Sequence, residues 1–381
     1  MTYTKKVYFR SEGWRYIFFY FKPHDNKIHK IIKTCGNKEF ILHIPENYLS
    51  PSTCVVFTAA MLPIWYSAAK SVKRELPKEK IAMIGVGAAF SFIGMMFNVP
   101  LPGGTTGHAV GATLIATLLG PEAACLAVSV ALLLQALLFG DGGILSFGAN
   151  CFNMAFAAPF IGYFIYRLML KALSKGGDVK VQHRLLSAAL SSYVGINVAA
   201  LLAAIEFGVQ PYLFHNAAGQ ALYCPYGLNI SIPSMMVGHL TIFGLAEVVF
   251  TVAILAFISK MAPALLKENI EEKAGKKQLL PVGILLAVLT VLVPLGLLAE
   301  GTAWGEWGAD EIAEVVSGGQ KLGYTPNGLE NGFQFNSLIP DYSLESVGIP
   351  EVAGYILSAV IGISVLVILF RIISSFKTKK D

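Results

Sequence analysis

Charge is what this sequence has least of. Only 14% of its 381 residues are Asp, Glu, Lys or Arg, while 55% are hydrophobic. Soluble domains carry about 25% charged residues, so an ordinary soluble domain is excluded. Cysteine is also scarce and unpaired. Cys35, Cys54, Cys125, Cys151 and Cys224 show neither a disulfide framework nor a CxxC spacing. Three of them lie in apolar runs, where the thiol behaves as a small hydrophobe. No P-loop, GxGxxG or HExxH occurs. The chain therefore holds no nucleotide-binding loop of these types, and any ATP hydrolysis that serves it belongs to another polypeptide.

What the chain does hold is a series of apolar runs near the 20 or so residues that cross a bilayer. Nine are found, near 52–70, 80–98, 105–120, 121–140, 144–168, 185–207, 233–260, 279–299 and 352–374. They lack period-two alternation, and only helices or closed barrels satisfy their backbone in lipid. The expected fold is all-α, a polytopic membrane helix bundle of about nine transmembrane helices. The third run is short and opens on Gly103-Gly104-Thr105-Thr106-Gly107-His108, so it is expected to start below the membrane surface.

Lys and Arg set the orientation through short loops. Clusters at Lys70–Lys80, Arg167–Arg184, Lys260–Lys277 and Arg371–Lys380 all fall on one side of a nine-span chain, which makes that side cytoplasmic. The opposite loops 98–104, 140–143 and 208–232 have no Lys or Arg, and loop 300–351 has one Lys against nine acids. This places His43 and the acidic loop outside a bacterial or archaeal inner membrane, and the C-terminus in the cytoplasm. Residues 1–41 break the pattern. They hold nine basic residues against three acids, a net +6 that exceeds the whole chain's +5, so residues 42–381 carry −1. Either this is a basic tail that tolerates translocation, or it is a translation of upstream sequence. Leucine codons such as UUG serve as bacterial start codons, and the expectation is that the chain begins at Leu42, decoded as Met. The remaining organisation is a seven-span unit, 42–262, a basic linker, 263–278, and a two-span unit, 279–381, around the acidic loop 300–351.

Polar groups at membrane depth are costly and mark functional sites by default. The densest group is Asn98-Val99-Pro100-Leu101-Pro102-Gly103-Gly104-Thr105-Thr106-Gly107-His108, a helix-interrupting stretch ending in a histidine. A second histidine, His43, opens His43-Ile44-Pro45-Glu46-Asn47-Tyr48-Leu49-Ser50-Pro51, kept extended by its prolines. If Leu42 supplies a free α-amine, that amine, the backbone nitrogen of His43 and its Nδ1 form two fused chelate rings. A nitrogen from His108 completes a square-planar four-nitrogen set, which favours Ni(II) or Cu(II), and Co(II) also accepts nitrogen donors. Read without that amine, His108 is a satisfied histidine at a helix start.

These motifs, with Gln135-Ala136-Leu137-Leu138-Phe139-Gly140-Asp141-Gly142-Gly143, Gly148-Ala149-Asn150 and Asn153-Met154, resemble the substrate-capture subunit of energy-coupling-factor transporters for cobalt or nickel (CbiM/NikM type) over residues 42–260. The two-span unit resembles the accessory CbiN/NikN-like subunit. Its Pro326-Asn327-Gly328-Leu329-Glu330 is similar to the Pro-Asp-Gly-Leu-Glu signature, although the same residues also read as a turn in a solvated loop. The resemblance implies a transporter subunit and not an enzyme. It implies Co(II) or Ni(II) as cargo with no permanent cofactor, and a terminal amine and two histidines as ligands, which fall on Leu42, His43 and His108. The implied partners are a transmembrane coupling subunit and two ATPase subunits (CbiQ/CbiO-like) in the lipid bilayer, with no nucleic acid.

Gln135, Asn150 and Asn153 read equally well as hydrogen-bond partners orienting His108 or the N-terminal loop and as helix–helix contacts. His239 is either such a partner or a structural histidine facing the bundle. Asp141 reads as a turn cap among glycines. Gly85–Ala89 and Gly94 permit close helix contact, within the chain or with the coupling subunit. His215 and Cys224 share an outer loop where a metal-gathering site is one reading. Two other functions stay open: a secondary permease, which needs mid-span charge, and an intramembrane metalloenzyme, which needs an acid or base beside its metal.

Overall fold

Ser50 starts the first helix. Its hydroxyl accepts the Thr53 N–H at 3.1 Å and Pro51 occupies the first turn, where no amide partner is needed. The structure, a computed structural model, describes residues 43–101, 105–175, 177–266, 276–299, 302–317 and 320–376. The expectations for residues 1–41, for Leu42 and for Pro102-Gly103-Gly104 lie outside the described residues.

The chain runs through α1 (Pro51–Glu75) and α2 (Lys78–Met96). A two-stranded hairpin of β1 (Val99–Leu101) and β2 (Thr105–Gly107) follows, with Val99 opposite Gly107. Then come α3 (Ala112–Leu119), α4 (Pro121–Phe139), α5 (Phe147–Ser174), α6 (Val181–Leu213) and α7 (Leu228–Met261). The C-terminal unit adds α8 (Lys277–Leu298) and α9 (Glu351–Ser375). This is a polytopic helical bundle in which eight helices are long and apolar enough to cross a membrane among the described residues. Large apolar side chains such as Val55, Val56, Tyr66, Leu245, Val249 and Ile368 remain exposed on their outer faces, as lipid contact requires.

The third expected span is the one that differs. Of run 105–120 only the eight residues of α3 are helical, bounded by Gly111 (φ 68°) and by Gly120 (φ 100°) ahead of Pro121. The stretch before α3 is non-helical backbone whose amides need other partners. Glu247 of α7 supplies them, accepting Val110 N–H at 2.7 Å and Gly111 N–H at 3.0 Å. Non-helical backbone at such depth is tolerated because it is buried in protein.

Three of the long helices contain a π-helical segment: Gln135–Phe139 ending α4, Cys151–Ala157 in α5 and His239–Phe243 in α7. A π segment widens one turn and re-aims its side chains, commonly at functional sites. Here each carries a polar residue singled out from the sequence: Gln135, Asn153 and His239.

The glycine in the Gly85–Ala89 run serves packing within the chain. A Cβ on Gly85 would lie 2.9 Å from Phe370 Cβ and 3.0 Å from Leu366 O of α9, so α9 lies directly on α2. Residues 302–317 and 320–350 fold back over the loops that join α4 to α5 and α6 to α7. Pro326–Glu330 is not a free turn: Asn327–Asn331 is a short helical turn whose Gly328 N–H donates to Leu222 O at 2.7 Å. Beneath it, Tyr48, Phe207, Tyr226, Trp304 and Trp307 form a chain of ring contacts, and Tyr48 donates its hydroxyl to Trp307 O at 2.7 Å. At the other end of the bundle the buried Lys80 ammonium donates to Ala264 O at 2.5 Å, tying the α1–α2 and α7–α8 connections together.

Candidate metal centre

His43 lies in the extended segment before α1, and that segment is gripped on both edges. Asn150 accepts Ile44 N–H at 2.9 Å and donates to Ile44 O at 3.0 Å, while Gly143 N–H also donates to Ile44 O at 3.0 Å. Glu46 accepts the amides of Ile144 and Leu145. The Asp141-Gly142-Gly143 turn runs so close that a Cβ on Gly142 would sit 3.0 Å from His43 Cβ. The φ of +82° there also favours glycine.

The imidazole of His43 is 4% exposed, and that of His108, at the head of the segment held by Glu247, is 7% exposed. Their ring centroids are 5.1 Å apart. Asp141 Oδ1 accepts the His43 Nδ1–H at 2.7 Å. His108 Nδ1 donates to Ala109 O at 3.2 Å. A neutral imidazole that donates from Nδ1 keeps its lone pair on Nε2, the atom such a ring offers to a metal. His43 Nε2 is buried with no hydrogen-bond partner among the described residues. Nδ1 of His43, the nitrogen the expected fused chelate would use, lies 2.7 Å from Asp141 Oδ1.

Asp141 is the largest correction to the sequence reading. It is not a simple turn cap; it joins His43 to two other groups, Tyr342 and Gln135. Its Oδ2 accepts Tyr342 O–H at 2.5 Å and Gln135 Nε2–H at 3.1 Å, and Gln135 also donates to the Tyr342 oxygen at 2.9 Å. Burial pushes the Asp141 carboxyl up, but the attraction and hydrogen bond of His43, the bond from Tyr342 and the nearby His108 outweigh it. The net position is below the ordinary carboxylate range, so the group is an ionised acceptor. Burial, and then the adjacent Asp141 charge, push the Tyr342 hydroxyl well above its ordinary value, which keeps it a donor.

The structure thus separates the expected helpers. Gln135 touches the carboxylate that holds His43, and Asn150 clamps the His43 loop. Asn153 donates to Glu206 Oε2 at 3.0 Å instead. His239 gives its Nδ1–H to Met235 O at 2.9 Å within its own helix and stacks edge-on against Phe243. Asn153 and His239 nevertheless line, with His43 and His108, a cavity of about 90 Å³ that Trp304 and Glu306 of the C-terminal unit also border. His215 is exposed, and Cys224 is buried with its thiol pushed up to about 12, so the two form no thiolate site. Among the described residues no three His, Cys, Asp or Glu side chains converge on a metal position. Two imidazoles therefore need backbone or terminal donors to complete a ligand set.

Glu247 and Tyr342 are the contributors the sequence did not mark as site residues. Glu247 was visible as the one acid well inside its span, while Tyr342, which meets Asp141 across 201 positions, stood out only with Asp341 as an Asp-Tyr pair ahead of the last span that fits the accessory-subunit resemblance.

The sequence profile described as "Cobalt uptake substrate-specific transmembrane region" matches residues 43–265, and that of the PDGLE domain matches residues 277–379. The chain is 48% identical over 332 residues to the "Probable fused nickel transport protein LarMN" of Lactiplantibacillus plantarum, covering 87% of this chain and 97% of that one. It is 44% identical over 337 residues to the "Fused nickel transport protein NikMN" of Rhodobacter capsulatus, covering 86% and 95%. A crystal structure titled as that of a truncated transition metal transporter superposes with a TM-score of 0.53 at 55% identity, over 57% of this chain and 99% of that one.

Proposed function

Because the chain belongs to the cobalt-uptake substrate-specific transmembrane family and carries a PDGLE domain, we propose that this nickel/cobalt transport membrane protein captures Co(II) or Ni(II) at His43 and His108. The ion is then passed inward when a separate coupling subunit, driven by two ATPase subunits, moves or reorients the bundle. The site end, with the loop 300–351, faces outside, and the basic connections and the C-terminus face the cytoplasm of a bacterial or archaeal cell.

One observation carries this reading. Two buried imidazoles lie 5.1 Å apart beside a cavity, each with Nδ1 engaged as a donor and one of them fixed by a carboxylate. A histidine whose far nitrogen donates to a carboxylate is the usual arrangement of a metal ligand, because the acceptor fixes the tautomer and raises the basicity of the coordinating nitrogen. Imidazole nitrogen suits nickel and cobalt, whereas harder ions prefer oxygen. The α-amine of a chain starting at position 42 supplies a further nitrogen beside His43. The profile match that begins at residue 43 supports that start.

The reading is tested with protein purified from its own host, its first residue fixed by N-terminal sequencing, and Ni(II) and Co(II) binding measured by titration calorimetry. His43→Ala and His108→Ala are expected to abolish high-affinity binding of both ions. Retention of wild-type affinity by either variant would overturn it. A first residue upstream of 42 would remove the amine from the ligand set.

Neither alternative gains an observation. Glu247, the acid a permease would employ mid-span for ion coupling, is committed to the 110–111 amides, and Glu206 accepts from Asn153 through one oxygen. Asp141 lies beside His43, but both its oxygens serve as fixed acceptors.

A further inference from the structure

Tyr342 of the C-terminal unit reaches Asp141, the carboxylate that holds His43, through its hydroxyl. Asp341 and Tyr342 both adopt left-handed backbone, with φ of 51° and 58°, a conformation that non-glycine residues, and bulky ones above all, rarely accept. Such outliers persist where the surroundings over-determine them, and they concentrate at functional positions. What holds this one is visible. The Tyr342 ring is 2% exposed and stacks on Phe139 of α4 with centroids 4.4 Å apart. It meets Tyr355 of α9 edge-on at 5.6 Å. Its carbonyl accepts Ser358 Oγ–H at 2.9 Å. The consequence of the unusual turn is the 2.5 Å bond from the phenol to Asp141 Oδ2, whose other oxygen holds His43. The same unit also touches the N-terminal segment where Tyr48 donates to Trp307 O and where Asn47, itself at φ 64°, pairs both ways with the Phe333 backbone at 2.8 and 3.0 Å.

We propose that Tyr342 is a positioning residue for the metal ligand His43, acting through Asp141, so that the C-terminal unit fixes the ligand while touching no metal itself. This rests on the capture site read above. The chemistry is that of a shared acceptor. The phenol and the Gln135 amide occupy Oδ2, which leaves Oδ1 as the oxygen that orients the imidazole and favours one ring rotation. Without the phenol Oδ2 keeps only the Gln135 amide at 3.1 Å, and the hold on the carboxylate that orients His43 is weakened. Outer partners of this kind are worth roughly 10–100-fold in metal affinity, and a group one bond further out is expected near the lower end.

The test uses the full chain with Co(II) alone as probe, read by calorimetry and by the visible ligand-field spectrum. Tyr342→Phe keeps the ring packing, and its unfolding midpoint checks that the fold is retained. It is expected to weaken Co(II) binding about tenfold and to alter the spectrum. In an Asp141→Asn background the same change is expected to have no further effect, since a group acting only through Asp141 has nothing left to act on. Tyr355→Phe removes a neighbouring hydroxyl bonded at 2.9 Å to Met96 O, outside the relay, and is expected to leave affinity and spectrum unchanged. Wild-type affinity and spectrum in Tyr342→Phe, an additive effect with Asp141→Asn, or an equal loss in Tyr355→Phe would each overturn the proposal while leaving the capture site standing. Absence of Co(II) binding by the unaltered chain would overturn both.

Discussion

Glu247→Ala gives the most quantitative check on how the fold builds the site. Glu247 is 1% exposed, and its two oxygens accept Val110 N–H at 2.7 Å and Gly111 N–H at 3.0 and 3.1 Å. Those amides belong to the buried, non-helical backbone directly after His108, ahead of α3, where no helical carbonyl serves them. Removing the carboxyl leaves two buried donors unpartnered at about 1–3 kcal/mol each, or about 2–6 kcal/mol together. Glu247→Gln keeps one acceptor oxygen where both amides can reach it, and should cost about 1 kcal/mol or less. The cost divides between stability and the site, because the segment can escape it by moving His108 away from His43. The assay is the unfolding midpoint in detergent together with Ni(II) affinity for the pair of variants. A drop of about 2 kcal/mol in binding alone appears as a roughly 30-fold weaker Kd. Alanine and glutamine variants that both match the unaltered protein in midpoint and in affinity would refute the claim that Glu247 carries this segment.

Gly142→Ala places a methyl about 3 Å from His43 Cβ at a positive φ, so metal affinity is expected to fall at least tenfold, measured by calorimetry, with little change in the amount of folded protein. Glu46 offers a pH test. Burial pushes its carboxyl up against the two amide bonds that pull it down. A raised folded value means the fold favours the protonated form. Its stability is therefore full below the ordinary carboxylate range and is partly lost as pH rises from there through the folded value. Glu46→Gln cannot ionise and keeps an acceptor, so its unfolding midpoint should change less than that of the unaltered chain between about pH 4 and pH 8.

The bundle was legible because apolar run length and Lys/Arg bias are local properties, and the runs that became α1, α2 and α4–α9 lie within a few residues of their expected places. The third run misled for a physical reason. Ala109 to Leu119 is as apolar as a span, but Gly111 at φ 68° and the distant Glu247 decide where its helix starts. His43 and His108 were legible from their proline and glycine surroundings, and Gln135 and Asn150 from their polarity among apolar neighbours. Asp141 was not, since Gly-Asp-Gly-Gly has the composition of any turn and its partners His43 and Tyr342 are 98 and 201 positions away. Tyr342 showed only as part of an Asp-Tyr pair ahead of the last helix. Its backbone conformation, which brings the phenol inward, is set by the rings packed around it.

The central claim is that the cargo ion is held by nitrogen from His43 and His108. Nickel K-edge X-ray absorption of the purified, Ni(II)-loaded protein tests it most directly. The account predicts a first shell of nitrogen or oxygen without sulfur and the outer-shell scattering of two imidazoles, reduced in both His43→Ala and His108→Ala. A sulfur shell, or a spectrum without imidazole scattering that neither substitution alters, would contradict it.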